Sequence, residues 1–137
     1  MKKLLIDTNI VLDLLAKREP FYRDSASLFS LADKKIVKLS VSSLTFANAN
    51  YTLLRSKTSN EARLILRRLK LIVDVLPLDD KIIGLALNDM GFKDFEDGIQ
   101  YFSAIENNHD IIITRNLKDF KTSLMPVMNA GQFLKTF

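Results

Sequence analysis

The sequence predicts an α/β protein, a three-layer sandwich with a central parallel sheet between helices. Two observations carry that prediction. Short aliphatic or β-branched runs alternate with longer stretches of helical periodicity along the chain. The run Ile111-Ile-Ile113 is apolar throughout, as strands buried on both faces are. Strands separated by helices imply right-handed crossovers and a parallel sheet covered on both sides. With 137 residues and no internal repeat, low-complexity tract or Gly/Ser-rich linker, residues 1–137 read as a single domain.

The elements follow in order. Lys3 to Ile6 reads as a strand. A helix to about Lys17 carries Ile10, Val11, Leu14 and Leu15 at i, i+1, i+4 and i+5, one helical face. A second helix, Phe21 to Lys34, places Ala26, Leu28, Phe29 and Leu31 inward. Ile36 to Val41 is the next strand, with Ser42 and Ser43 available to cap a helix through Leu54. Thr58-Ser-Asn-Glu61 resembles a capping box opening a helix to Leu69. Leu71 to Leu76 is a third strand, broken by Pro77. Helices are expected from Asp79 to Asn88 and from Asp94 to Asn107. A last short strand falls near Met125 to Met128, before a terminal segment containing Gln132 to Phe137. Phe21, Phe29 and Phe46 are expected in the core.

Composition excludes several chemistries. There is no cysteine, which removes disulfides, thiolate zinc sites and a cysteine nucleophile. His109 is the only histidine, so multi-histidine metal sites are excluded as well; it sits in a loop with no assigned role. Any metal must be held mainly by oxygen, which favours Mg²⁺ or Mn²⁺. Lys and Arg number 20 against 16 acids, a net charge of +4 that permits a nucleic-acid partner without requiring one. The apolar run after Lys2-Lys3 stops at Asp7, short of the ~7–15 residues of a signal-peptide core. No stretch approaches the ~20 residues of a membrane span. No membrane association and a cytoplasmic location are the expectation.

Acids at strand ends draw attention, because ligands of open parallel sheets bind beyond the carboxyl ends of strands, where strand order reverses. Asp7 follows the first strand. Thr114-Arg-Asn116 follows the Ile111–Ile113 strand, and Asp119 comes one turn later. Asp94, Glu96 and Asp97 open the helix preceding that strand. Each has an ordinary structural reading too: Asp7 and Asp94 as helix N-caps, Asn116 and Asp119 as turn residues. Their convergence on one rim would instead suit a hard cation, which takes oxygen ligands and keeps several waters. Such a cation can activate water and stabilise a leaving oxyanion in phosphodiester hydrolysis. Asp7 and Asp97 are the best direct ligands, with Glu96, Asn116 and Asp119 completing the shell or orienting metal-bound waters. Clustered carboxylates should raise at least one pKa.

Three motifs in order, Leu4-Leu-Ile-Asp7-Thr-Asn9, Asp94-Phe-Glu-Asp97 and Thr114-Arg-Asn116-Leu-Lys-Asp119-Phe120, resemble the PIN domain, the fold of many toxin ribonucleases in toxin–antitoxin pairs. The resemblance spans nearly the whole chain. It implies metal ligation by Asp7 and Asp97, places Asn116 and Asp119 in the family's fourth acidic region, and makes Thr114 a hydroxyl that orders the site. It also implies a possible dimer and an antitoxin partner. One position departs. Where the family usually has a glutamate in the helix after the second strand, this chain has Asn48. Asn48 keeps a carbonyl donor but removes a charge, which Glu96 could restore from the other side.

The function expected on these grounds is a Mg²⁺- or Mn²⁺-dependent endoribonuclease acting on single-stranded RNA, a toxin of a two-component pair. The alternative is a PIN-like module, weakened by Asn48, that binds nucleic acid or a partner without cutting. A phospho-accepting receiver domain would need a second acid beside Asp7, and Ile6 and Thr8 flank it. Arg55, Arg63, Arg67 and Lys70 lie in a basic stretch, the last three at i, i+4 and i+7 on one helical face. That face is either simply solvated or an RNA phosphate rim. Tyr22 and Tyr51 are either packed at a core edge or available to stack on bases.

Overall fold

A computed structural model describes residues 1–137. Strand β1 (Lys2–Ile6) leads into helices α1 (Thr8–Leu15) and α2 (Tyr22–Asp33), and β2 (Val37–Ser42) into α3 (Ser43–Leu53) and α4 (Ser59–Lys70). Strand β3 (Asp74–Leu76) precedes α5 (Asp80–Asn88) and α6 (Phe95–Glu106). Strand β4 (Ile111–Ile113) is followed by a 3-10 turn (Leu117–Phe120), then β5 (Val127–Met128) and α7 (Ala130–Leu134). All four strand pairings are parallel, in the order β3-β2-β1-β4-β5. The chain builds outward from β1 to β3, then returns to the other side of β1 for β4. Strand order therefore reverses between β1 and β4, which pair Ile6 with Ile113 at their carboxyl ends.

Alternation along β1 divides the core into two faces. Leu4 and Ile6 belong to a cluster with Ile10 and Val11 of α1, Leu28 and Phe29 of α2, Leu69 of α4 and Phe133 of α7. Leu5 points the other way, with Ile112 of β4, into a cluster containing Tyr101 and Ala104 of α6. A smaller group, Ile82, Ala86 and Ile99, locks α5 onto α6. The sandwich is thus a sheet with α1, α2, α4 and α7 on one side and α5 and α6 on the other. No helix is long and apolar enough to cross a membrane.

Capping chemistry fixes the helix starts. The Ser42 hydroxyl accepts from the Leu44 N–H at 3.3 Å. Thr58 and Glu61 form the expected reciprocal box, the Glu61 carboxylate taking the Thr58 N–H at 2.8 Å and the Thr58 hydroxyl taking the Glu61 N–H at 3.2 Å. Asn129 and Gln132 form a second such box that opens α7 inside the terminal segment.

Several boundaries differ from the sequence expectation, each for a local reason. Ile36 is 45% exposed and precedes β2, because Lys35 turns the chain at φ 60° and the Ile36 N–H closes back on Leu31. Leu71 is 87% exposed; the N–H groups of Ile72 and Val73 bond to the Leu69 carbonyl in the turn that ends α4, so β3 starts only at Asp74. Met125 is held in a turn by the Ser123 hydroxyl, which delays β5 to Val127. Phe21, expected in the core, is 41% exposed and carries the Arg115 guanidinium over its ring at 4.0 Å. Phe29 is buried as expected, and Phe46 packs partly buried against the main cluster.

Substitutions at two isoleucines check the corrected strand boundary. Ile112→Ala, in a fully buried strand position, is expected to cost ~2–5 kcal/mol in urea unfolding. Ile36→Ala should stay within ~0.5 kcal/mol, as surface changes do.

Candidate active site

Asp7 sits where β1 ends, and its N–H still bonds the Ile113 carbonyl of β4 at 2.9 Å. It occupies the N-cap position of α1 with extended backbone, yet its side chain makes no capping hydrogen bond. The carboxylate is drawn elsewhere. The Thr114 hydroxyl donates to Oδ2 at 2.7 Å, and the Gln100 amide Nε2 donates to Oδ1 at 3.1 Å. Asp7 is only 5% exposed. Thr114 is fully buried behind it, and its hydroxyl accepts from the Asn116 N–H at 3.1 Å. Capping is therefore not what Asp7 does. Asp94, by contrast, is a genuine cap, its Oδ1 accepting from the Glu96 N–H at 2.9 Å.

These groups open onto a cleft of ≈ 300 Å³ with ten lining residues, none of them hydrophobic. Asp7, Thr8 and Asn9 come from the β1–α1 junction and Asn48 from α3. Asp94, Glu96, Asp97 and Gln100 come from the start of α6, and Asn116 and Asp119 from the segment after β4. The fold thus brings together Asp7, Glu96, Asp97, Asn116 and Asp119, five polar groups from three separated stretches of sequence. Thr114 reaches the site through Asp7. Asn48 donates from Nδ2 to Glu96 Oε1 at 2.8 Å, so the two positions linked by the family departure are in direct contact.

Five carboxylates share this cleft and no lysine, arginine or histidine lines it. Asp97 shows the consequence: burial, then the charges of Asp7, Asp94, Asp119 and Glu96, push its carboxyl up to about 7. Glu96 is also raised, by burial first and then by Asp94 and Asp7, while the Asn48 hydrogen bond opposes the rise. The arginine beside this site is engaged elsewhere. Arg115, between Thr114 and Asn116, grips the fully buried Asp13 of α1 through Nε–Oδ2 at 2.9 Å and Nη2–Oδ1 at 3.1 Å. Burial raises the Asp13 pKa, and Arg115 is the chief opposing influence.

The donor set fits a hard divalent cation. Carboxylates and neutral amide oxygens are the ligands magnesium and manganese prefer, and a polar cleft leaves room for the waters they retain. No three of the acids form a ready-made cage, so waters or substrate oxygens would have to complete any coordination shell. The basic residues lie apart: Arg55, Arg63, Arg67 and Lys70 are all exposed, and none lines the cleft. Tyr51 is exposed on α3, and Tyr22 is half-buried on α2.

The PIN domain sequence pattern matches residues 3–118. The chain belongs to the PIN domain family. Its members are generally nucleases that use divalent metals. None of the curated proteins matches this chain. Among solved structures it is similar to the DNA-bound VapBC of Salmonella typhimurium, with a TM-score of 0.72, 17% identity, and coverage of 95% of this chain and 99% of the other. A toxin-antitoxin complex from Klebsiella pneumoniae gives a TM-score of 0.70 at 20% identity, covering 93% and 97%. VapC20 of Mycobacterium tuberculosis, a sarcin-ricin loop cleaving toxin, gives 0.62 at 15% identity, covering 80% and 86%.

Two features of this PIN domain escape a sequence reading built on acids. Gln100 carries no charge, although its place three residues after Asp97 puts it on the same face of α6. The Asp13–Arg115 pair joins α1 to the loop holding Thr114 and Asn116, and nothing local in sequence links them.

The raised Asp97 carboxyl fixes the sign of a pH effect. The folded state holds this proton up to about 7, whereas an unfolded aspartate releases it near ~3.9. Stability from this group is therefore full at low pH and is lost as pH rises from ~4 to about 7. A bound dication should reverse the penalty, so the rise in Tm with Mn²⁺ is expected to be larger at pH 8 than at pH 6, as scanning fluorimetry would show. Arg115→Met leaves Asp13 buried without its partner and should cost ~3–5 kcal/mol by urea unfolding.

Proposed function

We propose that this PIN domain is a metal-dependent ribonuclease that cleaves single-stranded RNA in the cytoplasm, as the toxin of a toxin–antitoxin pair. The observation that carries the reading is the Asp7 carboxylate, withdrawn from capping and held by Thr114 and Gln100 at the mouth of an all-polar acidic cleft. The sarcin-ricin loop cleaving toxin VapC20 and the toxin–antitoxin complex among the similar structures support a nuclease reading with an antitoxin partner.

In this reading Asp7, Asp97 and Glu96 are the residues that would hold Mg²⁺ or Mn²⁺. Such an ion supplies an activated water and charge stabilisation for phosphodiester hydrolysis. Thr114 and Gln100 hold the Asp7 carboxylate in one orientation. Asp97, whose carboxyl is pushed up to about 7, would have to release its proton to serve as a ligand. Asn48 fixes the rotamer of Glu96, so the charge missing at position 48 is delivered from α6 instead. Asn116 and Asp119, on the rim, would orient the attacking water. Arg55, Arg63, Arg67 and Lys70 attract the RNA backbone, because a cleft of five carboxylates repels phosphate by itself.

The contact between Asn48 and Glu96 suggests how to test this reading against a non-cleaving module. Asn48→Glu would set two carboxylates side by side and should not speed cleavage. Glu96→Gln should slow cleavage of a mixed-sequence single-stranded RNA by ~10–100-fold, and Asp7→Asn at least as much. Mn²⁺ calorimetry on the same proteins completes the test. Wild-type protein that neither binds Mn²⁺ nor cuts RNA better than Asp7→Asn would establish the binding module instead.

A further inference from the structure

We infer that Gln100 is a positioning residue for Asp7: its side-chain amide fixes the orientation of the Asp7 carboxylate in the acidic cleft. The hydrogen bond spans 93 positions in sequence and is buried, with Gln100 itself 2% exposed. The amide orientation is forced by its acceptor. Turning the carbonyl toward Asp7 would face oxygen against oxygen, since an ionised carboxylate only accepts. The other end of the amide is telling as well. Oε1 is buried without a partner, the kind of orphan that burial disfavours. An amide retained only for packing would be outdone by an apolar side chain of the same shape. The Nε2 bond to Asp7 is the gain that offsets the orphaned oxygen.

Chemistry explains why an amide stands there. A lysine or arginine would also hold Asp7, but would neutralise it and compete with any cation entering the cleft. A glutamate would add a sixth like charge to the five already present. Glutamine donates without cancelling charge. Thr114 does the same from the end of β4, one residue beyond Ile113, so each carboxylate oxygen of Asp7 has one donor and keeps lone-pair capacity free toward the cleft. Because Asp97 and Gln100 lie one turn apart on α6, the helix that presents one carboxylate also orients the other.

The orientation itself stands on this geometry; its effect on cation binding rests on the metal reading proposed above. Two measurements on the full chain separate them. In ¹⁵N-edited spectra of the metal-free protein, the Gln100 side-chain amide is expected to exchange slowly with water and to lose that protection in Asp7→Ala. A Gln100 amide that exchanges as freely as surface glutamines overturns the inference whatever the metal does. Mn²⁺ calorimetry then compares wild type with Gln100→Met, which fills the space but cannot donate, and with Gln100→Leu should the first fail to fold. The expected result is a Kd raised by ~10-fold with the cooperative melt retained. An unchanged Kd with only a shifted Tm reduces Gln100 to packing and overturns the inference. Wild type that ignores Mn²⁺ defeats the metal reading, and the exchange measurement still decides the role of Gln100.

Discussion

The structure depends on one buried carboxylate. Asp7 is held between a hydroxyl just after β4 and an amide from α6, and none of the three can be displaced without leaving a buried polar group unpaired. The parallel register of Ile6 with Ile113 brings Thr114 level with Asp7. The packing of Tyr101 and Ala104 against Leu5 and Ile112 brings α6 down onto the same edge. The apolar core thereby sets the geometry of a polar site at the point where strand order reverses.

Charge is the second constraint. Five carboxylates meet where no cation lines the wall, and Asp97 absorbs part of the repulsion by retaining its proton up to about 7. Arg115 is adjacent in sequence and would relieve the repulsion cheaply, but the bidentate pair with Asp13 and the stacking on Phe21 keep it on the far side of the loop. In the proposed reading, an acidic cleft without an arginine in its wall suits an external cation. That is the arrangement expected of a site selected for chemistry over stability.

Much of this was legible in residues 1–137, and what was not has physical causes. The alternation of strands and helices, the Thr58–Glu61 box and the fully apolar Ile111–Ile113 strand are local signals, and each appears in the fold. Convergence of Asp7, Glu96, Asp97, Asn116 and Asp119 followed from placing acids at strand ends. Apolar identity misled at Ile36 and Leu71, where turns that close helices claim residues a strand could have used. Phe21 looked like core because sequence does not reveal that Arg115 will cover its ring. Gln100 was invisible to any search for charged ligands, since its role exists only once α6 is packed against β1.

The central claim, that the fold presents Asp7 and Asp97 together to one divalent cation, is tested most directly by anomalous diffraction from crystals grown with Mn²⁺. The account expects a manganese peak in the acidic cleft in contact with both carboxylates, with Thr114 and Gln100 still bonded to Asp7. A cleft without a peak, or an Asp7 carboxylate swung back to cap α1, would contradict it.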